Sequence, residues 1–421
     1  MRSAQRQAFR HRYSFTRLLR EAVAGHERWP QAWRSPDPKP EYDVVIIGGG
    51  GHGLGAAYYL AKDHGITDVA VLEKGWIGGG NTARNTMTIR DNYLRGPSVI
   101  LHRESMKLWR GLGRELNFNI MLHERGMITF LQSGAQLAEA KRMADTMNVF
   151  GSPYRMLDKR ELRRRVPAYV DSPRMPIQGA VYHPKVAMAR HDAVAWGYAR
   201  AADFRGIDIL QNCEVTGILR DGPRVAGVVT NQGVIGARRV GMAVAGHGSV
   251  VARMAGVELP VETWPLQAFV STPLKPVLDE IFVVAGFHNY FMQSDKGELV
   301  AGGVTDPYPS YAQRGTPTIV ENVIAGMVEV FPMFARVELM RQWAGMLDIT
   351  YDNSPIISAT PVEGFTIDVA GSGGWKTTPI AAKLHASLIA TGRPDPLIQP
   401  FGLDRFAHGR LIREGGVDAS R

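Results

Sequence analysis

An α/β fold is predicted by three consecutive features: the apolar run Asp43-Val44-Val45-Ile46-Ile47, the glycine-rich loop Gly48 to Gly53, and a second short apolar strand ending in Glu73. The expected architecture is a Rossmann-like dinucleotide-binding domain interleaved in sequence with an antiparallel-sheet α+β domain. The first run is continuously apolar rather than alternating, as a strand buried on both faces of a parallel sheet must be. A helix rich in alanine and leucine, Leu54 to Lys62, follows the loop, and the strand Val69-Ala70-Val71-Leu72 follows the helix.

The loop Gly48-Gly49-Gly50-Gly51-His52-Gly53 satisfies the GxGxxG spacing. Gly48 permits the tight turn, Gly50 lets the backbone approach a pyrophosphate, and Gly53 allows close helix–strand packing. The N–H groups at the helix start, around Gly51 and His52, face the negative charge. Glu73, 20 residues after Gly53, suits a ribose hydroxyl and disfavours a 2′-phosphate, so FAD or NAD is preferred to NADP. Gly78-Gly79-Gly80-Asn81-Thr82-Ala83-Arg84-Asn85 then forms a polar loop without a helix-forming pattern. A plain nicotinamide unit would move promptly into another crossover helix, whereas flavoproteins of the glycine oxidase and sarcosine oxidase type run such a loop back along FAD. FAD is therefore the expected cofactor.

Bulk composition narrows the remaining classes. Hydrophobic residues make up 45% and charged residues 21% of the 421 residues, ordinary values for a globular enzyme with a large core. The one cysteine, Cys213, excludes an intrachain disulfide and a multi-thiolate metal site, which fits a reducing compartment such as the cytoplasm. The 12 histidines have no metal-ligand spacing, so no metal is expected. No stretch of about 18 charge-free apolar residues predicts a membrane span. The net charge of +9 is partly local: residues 1–20 hold six arginines (Arg2, Arg6, Arg10, Arg12, Arg17, Arg20) and no acid. Such an arm can be a transit peptide or a nucleic-acid tail. Tyr13, Phe15, Leu18, Leu19, Trp29 and Trp33 add apolar anchors, which favour an arm lying on a partner subunit or in solvent. Nucleic acid is not an expected partner. Residues 34–40, rich in proline, read as a linker.

Several further stretches carry a resemblance. They include Gln31-Ala32-Trp33-Arg34-Ser35-Pro36, Leu72-Glu73-Lys74-Gly75-Trp76, Gly79-Gly80-Asn81-Thr82 and Ala189-Arg190-His191-Asp192-Ala193-Val194-Ala195-Trp196-Gly197. Pro265-Leu266-Gln267-Ala268-Phe269-Val270, Arg341-Gln342-Trp343, Asp352-Asn353-Ser354-Pro355-Ile356-Ile357 and Arg405-Phe406 follow in order. Together they resemble the β subunit of heterotetrameric sarcosine oxidase, over nearly the whole chain. The resemblance implies an assembly with α, γ and δ subunits, noncovalent FAD, and FMN covalently joined to a histidine, which matches His191. It implies oxidation of an N-methyl amino acid such as sarcosine by hydride transfer to FAD, with electrons passed on to FMN. N-methylglutamate dehydrogenase is a close relative, and a stand-alone FAD-dependent amino acid oxidase is a further alternative.

By motif position, the resemblance places Gly51 and His52 at the pyrophosphate, Glu73 at the ribose, and Asn81 and Thr82 at the phosphate or ribityl side. Thr86 and Thr88 lie along the flavin, and Val215 pairs its main chain with adenine. Gly371 and Gly374 belong to the loop and helix start, Gly371-Ser372-Gly373-Gly374-Trp375-Lys376, over the flavin's pyrimidine edge. Such a helix N-terminus would stabilise an anionic reduced flavin. Arg90 and Lys376 are the catalytic candidates, as cations for the substrate carboxylate, although Lys376 can instead face FMN. The sequence departs from the family at Trp375, usually phenylalanine, and around Ile380-Ala381-Ala382, usually smaller, so the wall near the flavin is expected to differ.

The layout predicted from strand and glycine signals assigns 41–125, 185–265 and 345–390 to the FAD domain. Residues 126–184 and 266–344 form the substrate domain, 1–40 the arm and linker, and 391–421 a C-terminal tail.

Overall fold

The computed structural model describes residues 14–27, 29 and 31–414. Two compact units are present, residues 1–34 and 35–421. In the first, helix Phe15–Val23 starts at Ser14, whose hydroxyl accepts the Arg17 N–H at 3.3 Å. Phe15, Leu18, Leu19 and Val23 are exposed on it. Arginines 2, 6, 10 and 12 of the basic arm lie outside the described residues.

In the second unit the first apolar run becomes strand Glu41–Ile47, at the centre of a parallel array. Its neighbours are Val69–Leu72 on one side and Gly233–Met242 on the other. Asp208–Leu210 extends the array beyond Val69–Leu72, and Phe365–Val369 extends it beyond Gly233–Met242. In sequence the run Arg239 to Ala245 reads as the last buried strand of this domain, but a further one lies beyond it. The strand of that run ends at Met242, and the fully buried Phe365–Val369 pairs with its end. The antiparallel hairpin Val215–Asp221/Arg224–Thr230 joins the other half of Gly233–Met242.

A second, eight-stranded sheet takes strands from Met127–Leu131 to Leu339–Thr350. Its neighbours run antiparallel except Ile281–Val284 beside Met127–Leu131. Helix Pro317–Val330 packs against it, and Phe331 at the helix end meets the rings of Phe282, Phe291 and Phe130 at 5.1, 5.6 and 6.1 Å between centroids. Edge-to-face geometry in this cluster adds to simple burial. Beyond Thr391 the chain stays packed: Ile398 and Phe401 are buried, and Arg405 forks onto the Asp352 carboxylate at 2.8 and 2.9 Å. Two of the motif stretches thus meet in one buried ion pair.

The loop helix begins at Gly51 rather than Leu54 and runs to Asp63. Glycine is a poor helix former, but packing decides here. A Cβ on Gly53 would lie 1.9 Å from the Gly48 carbonyl oxygen, and one on Gly55 would lie 2.7 Å from Ala382 Cβ. Gly48 itself has φ +111°, open to glycine alone. The segment expected to be plain loop contains a short helix, Asn81–Arg84. The Arg84 guanidinium folds back onto the Gly79 and Gly80 carbonyls, supplying local order that the composition does not signal.

Gly53→Ala should therefore destabilise the fold by about 1–3 kcal/mol or more through overpacking, read as a lower urea midpoint. Gly111, exposed in helix Gly96–Glu115 with open space around it, is the contrast. Gly111→Ala should stabilise by about 0.5–1 kcal/mol. Equal midpoints for the two variants would contradict the close approach at Gly53.

Candidate cofactor and substrate site

All five parallel strands end on one side, and the chain leaving each end lines a single cavity of about 840 Å³. The residues there include Gly48 after the first strand, Glu73 after the second, Val215, Val244 and Gly371. A crevice at the carboxyl ends of parallel strands is where α/β sheets bind nucleotides. The same cavity reaches Gly50, Gly51, His52, Asn81, Thr82, Thr86, Thr88, Arg90, Gly374 and Lys376. Of the candidate residues, Gly53 and His191 do not line it. Gly53 acts from behind, by letting the helix sit on Gly48.

Glu73 orders the loop around it. One carboxylate oxygen accepts the Gly49 N–H at 2.9 Å and the other accepts the Gly75 N–H at 2.8 Å. Each oxygen keeps acceptor capacity for a ribose hydroxyl. Thr82 accepts the Gly51 N–H at 3.0 Å, so its hydroxyl sits at the helix start. Asn81 turns to the second sheet: its amide pairs with the Met346 backbone, accepting the Met346 N–H at 2.9 Å and donating to the Met346 carbonyl. Its side chain therefore ties the short helix Asn81–Arg84 to the second sheet. Thr86 donates to the Tyr290 hydroxyl at 3.2 Å, and Thr88 reaches the Thr86 carbonyl at 3.4 Å.

His52 is engaged on both ring nitrogens. Nδ1 lies 2.7 Å from the Asp368 carboxylate and Nε2 lies 2.8 Å from the Gly374 carbonyl. Both partners are acceptors, so both nitrogens must carry hydrogens. Burial opposes that charge, but Asp368 and the two hydrogen bonds outweigh it and hold the His52 pKa above its usual value. The Asp368 carboxyl is burdened by burial yet held below its usual pKa by His52. The side chain of His52 is thus committed to the protein.

On the substrate side, Arg90 is buried and spends one nitrogen on the Asn92 carbonyl (3.2 Å) and Asn92 Oδ1 (2.6 Å). Among the described residues no carboxylate pairs with it. The adjacent acid, Asp91, is taken by His183 at 2.7 Å and by Ser152 at 3.0 Å. A buried guanidinium on a cavity wall without a counter-ion is a site for an anion. Lys376 lines the same cavity. Burial, together with Lys376 and Arg90, pushes the nearby His102 down to about 3, so it is neutral.

His191 opens helix His191–Asp203, three residues after Met188, which pairs with Thr88. Its Nδ1 is buried without a hydrogen-bond partner among the described residues, and burial lowers its pKa. It is a neutral imidazole close in sequence to a strand that flanks the cavity.

Asp368, Asp348, Tyr290 and His102 escaped the sequence reading. Asp368 had a signal, an acid inside the apolar run Phe365–Val369; the others had none, because their neighbours are remote in sequence. Asp348 is a fully buried acid on the cavity wall, raised to about 7 by burial although the Gly246 N–H (2.7 Å) and Thr263 hydroxyl (3.3 Å) favour its charge. One expectation fails: Ile380 is buried in an apolar cluster with Leu101 and Leu384 and does not reach the cavity, whereas Trp375 does.

Comparison with known proteins agrees with this geometry. The signature of the FAD dependent oxidoreductase family matches residues 43–388. The chain belongs to that family. It is 46% identical to the sarcosine oxidase subunit beta of Rhodobacter capsulatus over 96% of this chain and 98% of that one. It is 47% identical to the sarcosine oxidase subunit beta of Rhizobium meliloti, over 97% and 99%. Membership in the sarcosine oxidase β-subunit group follows. Among solved structures, L-proline dehydrogenase from P. horikoshii is similar with a TM-score of 0.81 and 26% identity, covering 89% of this chain and all of that one. Glycine oxidase from Geobacillus kaustophilus, at 22% identity and a TM-score of 0.79 over 87% and 99%, shares the fold. The chain is an FAD-dependent oxidoreductase, and among the described residues no helix is long and apolar enough to cross a membrane.

The shifts at His52 and Asp348 set a pH profile for stability of this family member. Both pKa values are raised on folding, so each contribution is complete below the unfolded pKa and lost as pH rises through the folded one. For Asp348 the loss spans about pH 4 to 7; for His52 it begins near pH 6.5. Asp368, being lowered, contributes throughout that upper range. Buried neutral His102 and His385 add stability as pH rises toward 6.5, so each term is read as a difference. The melting temperature of wild type relative to Asp348→Asn should fall between about pH 4 and 7, and relative to His52→Gln it should fall above about 6.5. An unchanged alkaline limb in His52→Gln would contradict the imidazolium assignment.

Proposed function

We propose that this chain is the FAD-carrying β subunit of a multi-subunit sarcosine oxidase, oxidising sarcosine or a similarly small N-methyl amino acid. The observation that carries the reading is Arg90, a buried cation on the wall of the nucleotide cavity that has no counter-ion among the described residues, with Lys376 on the same wall. An amino acid's carboxylate supplies the missing charge. A secondary amine then stays beside the cofactor in a cavity walled by Tyr290, Met127 and Trp375, which excludes water. FAD, when bound, supplies the hydride acceptor. The protein's part is to orient and to exclude solvent.

For the cofactor, the Glu73 carboxylate would take the ribose, and the Gly50 and Gly51 amides the pyrophosphate. The fit is supported by the cradle itself, where a Cβ on Gly49 would lie 2.7 Å from Glu73 Cβ. Glu73→Gln should weaken FAD retention by roughly ten-fold or more, for loss of a charge-assisted bond worth about 1.5–3 kcal/mol. Retention equal to wild type in equilibrium dialysis would refute the ribose role.

Covalent FMN at His191 is the finer part of the proposal. Its support is the run Ala189 to Gly197 and the neutral imidazole whose Nδ1 has no partner among the described residues, since a free lone pair suits attack on an electrophilic methyl carbon of an oxidised flavin. The segment lies off the FAD cavity, which agrees with FMN held at a boundary with α, γ or δ subunits in a heterotetramer. A reducing compartment such as the cytoplasm fits the lone buried Cys213. The reading gives the parallel sheet to FAD and the mixed sheet to substrate, with the expected boundaries at 265 and 345 shifted because strands Val261–Pro273 and Leu339–Thr350 both belong to the mixed sheet.

The purified complex should show a flavin-fluorescent band on this chain after denaturing electrophoresis, with a mass increase corresponding to FMN. His191→Ala should lose the band and keep FAD. A band that persists in His191→Ala, or is missing in wild type, sinks the FMN assignment.

A further inference from the structure

Helix Gly374–Thr391 begins with little support of its own. Gly373, at its N-cap, makes no side-chain cap, and the first turn holds no acid. Pro379 sits inside the helix and offers no N–H to the Trp375 carbonyl, which its ring also crowds. The turn's own Thr377 and Thr378 hydroxyls reach the Gly374 carbonyl at 3.2 and 3.3 Å, and the shorter bonds come from outside it. Ser105 Oγ and Trp109 Nε1 donate to the Lys376 carbonyl at 2.6 and 2.9 Å, and Trp375 Nε1 donates to the Met87 carbonyl at 3.0 Å. The Gly374 carbonyl takes His52 Nε2 at 2.8 Å. Of these donors, only His52 comes from the glycine-rich nucleotide loop.

The two helix starts are also packed without slack. A Cβ on Gly51 would lie 2.9 Å from Thr378 Cγ2, and one on Gly55 would lie 2.7 Å from Ala382 Cβ. Strand Phe365–Val369 carries Asp368 to the other nitrogen of His52 and then leads directly into the turn Gly371–Gly373. One imidazole therefore joins helix Gly51–Asp63, strand Phe365–Val369 and helix Gly374–Thr391. The titratable groups facing this junction are Asp368 and His385; His385 is fully buried, with Nε2 at 2.9 Å from the Thr366 hydroxyl.

We propose that His52 is a positioning residue that clamps the first turn of helix Gly374–Thr391 to the nucleotide loop, so that one helix dipole stays on the flavin while the other stays on the pyrophosphate. The proposal rests on the reading that this cavity holds FAD as described above. A helix dipole acts only within its first turn, so a small displacement of Gly374 costs most of its effect on a reduced, anionic flavin. The clamp also explains the buried Asp368: its carboxylate has one unpartnered oxygen among the described residues and depends on His52 for its charge balance.

The test uses the full chain loaded with FAD. His52→Gln leaves the Asp368 charge unbalanced and can fail to fold, so His52→Gln/Asp368→Asn, a neutral pair of similar size, is measured beside it. In the folded variant the FAD dissociation constant should rise about ten-fold. The flavin midpoint potential should move negative, corresponding to about five- to ten-fold weaker preference for reduced over oxidised flavin. Trp375→Phe, which loses only the Met87 bond, reports what general loosening of the turn does to the potential. A double variant with wild-type potential overturns the clamp, as does a shift no larger than that of Trp375→Phe. A wild-type chain that holds no FAD at all overturns the cofactor reading together with the clamp, and so separates the two failures.

Discussion

The fold depends on one contact that has no side chain in it: helix Gly51–Asp63 resting directly on the turn at Gly48. With 1.9 Å between a notional Gly53 Cβ and the Gly48 oxygen, only glycine permits the approach. That approach brings the helix N-terminus to the ends of the parallel strands, where the backbone amides of Gly50 and Gly51 border the cavity. The glycine at position 55 then lets helix Gly374–Thr391 come close on another side, where a Cβ would lie 2.7 Å from Ala382 Cβ. Substrate, cofactor and loop geometry all inherit their spacing from these two glycine contacts.

Charge is distributed around the cavity by the same economy of contacts. Asp91 sits beside Arg90 in sequence yet is taken up by His183 and Ser152, which leaves the guanidinium for an anion. His52 and Asp368 balance one another under the two helix starts. Among the described residues Asp348 pairs with no cation, and burial raises its pKa to about 7. The result is a cavity whose wall is electropositive at Arg90 and Lys376.

Much of the family signature turns out to hold the frame together. Asp352 and Arg405 meet in a buried fork; the Gln342 amide donates to Gln267 at 3.2 Å; Trp343 Nε1 donates to the Arg84 carbonyl at 2.8 Å. The Trp343–Arg84 and Asn81–Met346 bonds both tie helix Asn81–Arg84 to strand Leu339–Thr350 of the second sheet. Motif residues far from the cavity are therefore the polar cross-links between segments that carry cavity residues. A buried polar cross-link left half-satisfied is costly, so such residues tolerate little exchange.

The sequence alone determined the nucleotide fold, because a continuous apolar strand, glycines at fixed spacing and an acid after the next strand are local requirements of that turn. It also determined the cofactor class and most of the cavity wall, since Glu73, Thr82, Arg90, Gly371 and Lys376 lie in local motifs. Tertiary structure alone decided what those side chains do. Asn81 proved to be a tie from its short helix to the second sheet, His52 a link between Asp368 and Gly374, and Ile380 a core residue rather than part of the wall. Each of these roles is fixed by a partner from tens to hundreds of residues away, and neither periodicity nor spacing encodes that distance. The start of helix Gly51–Asp63 and the short helix Asn81–Arg84 were hidden for a related reason: glycine-rich segments have weak local preferences, and packing chooses their conformation.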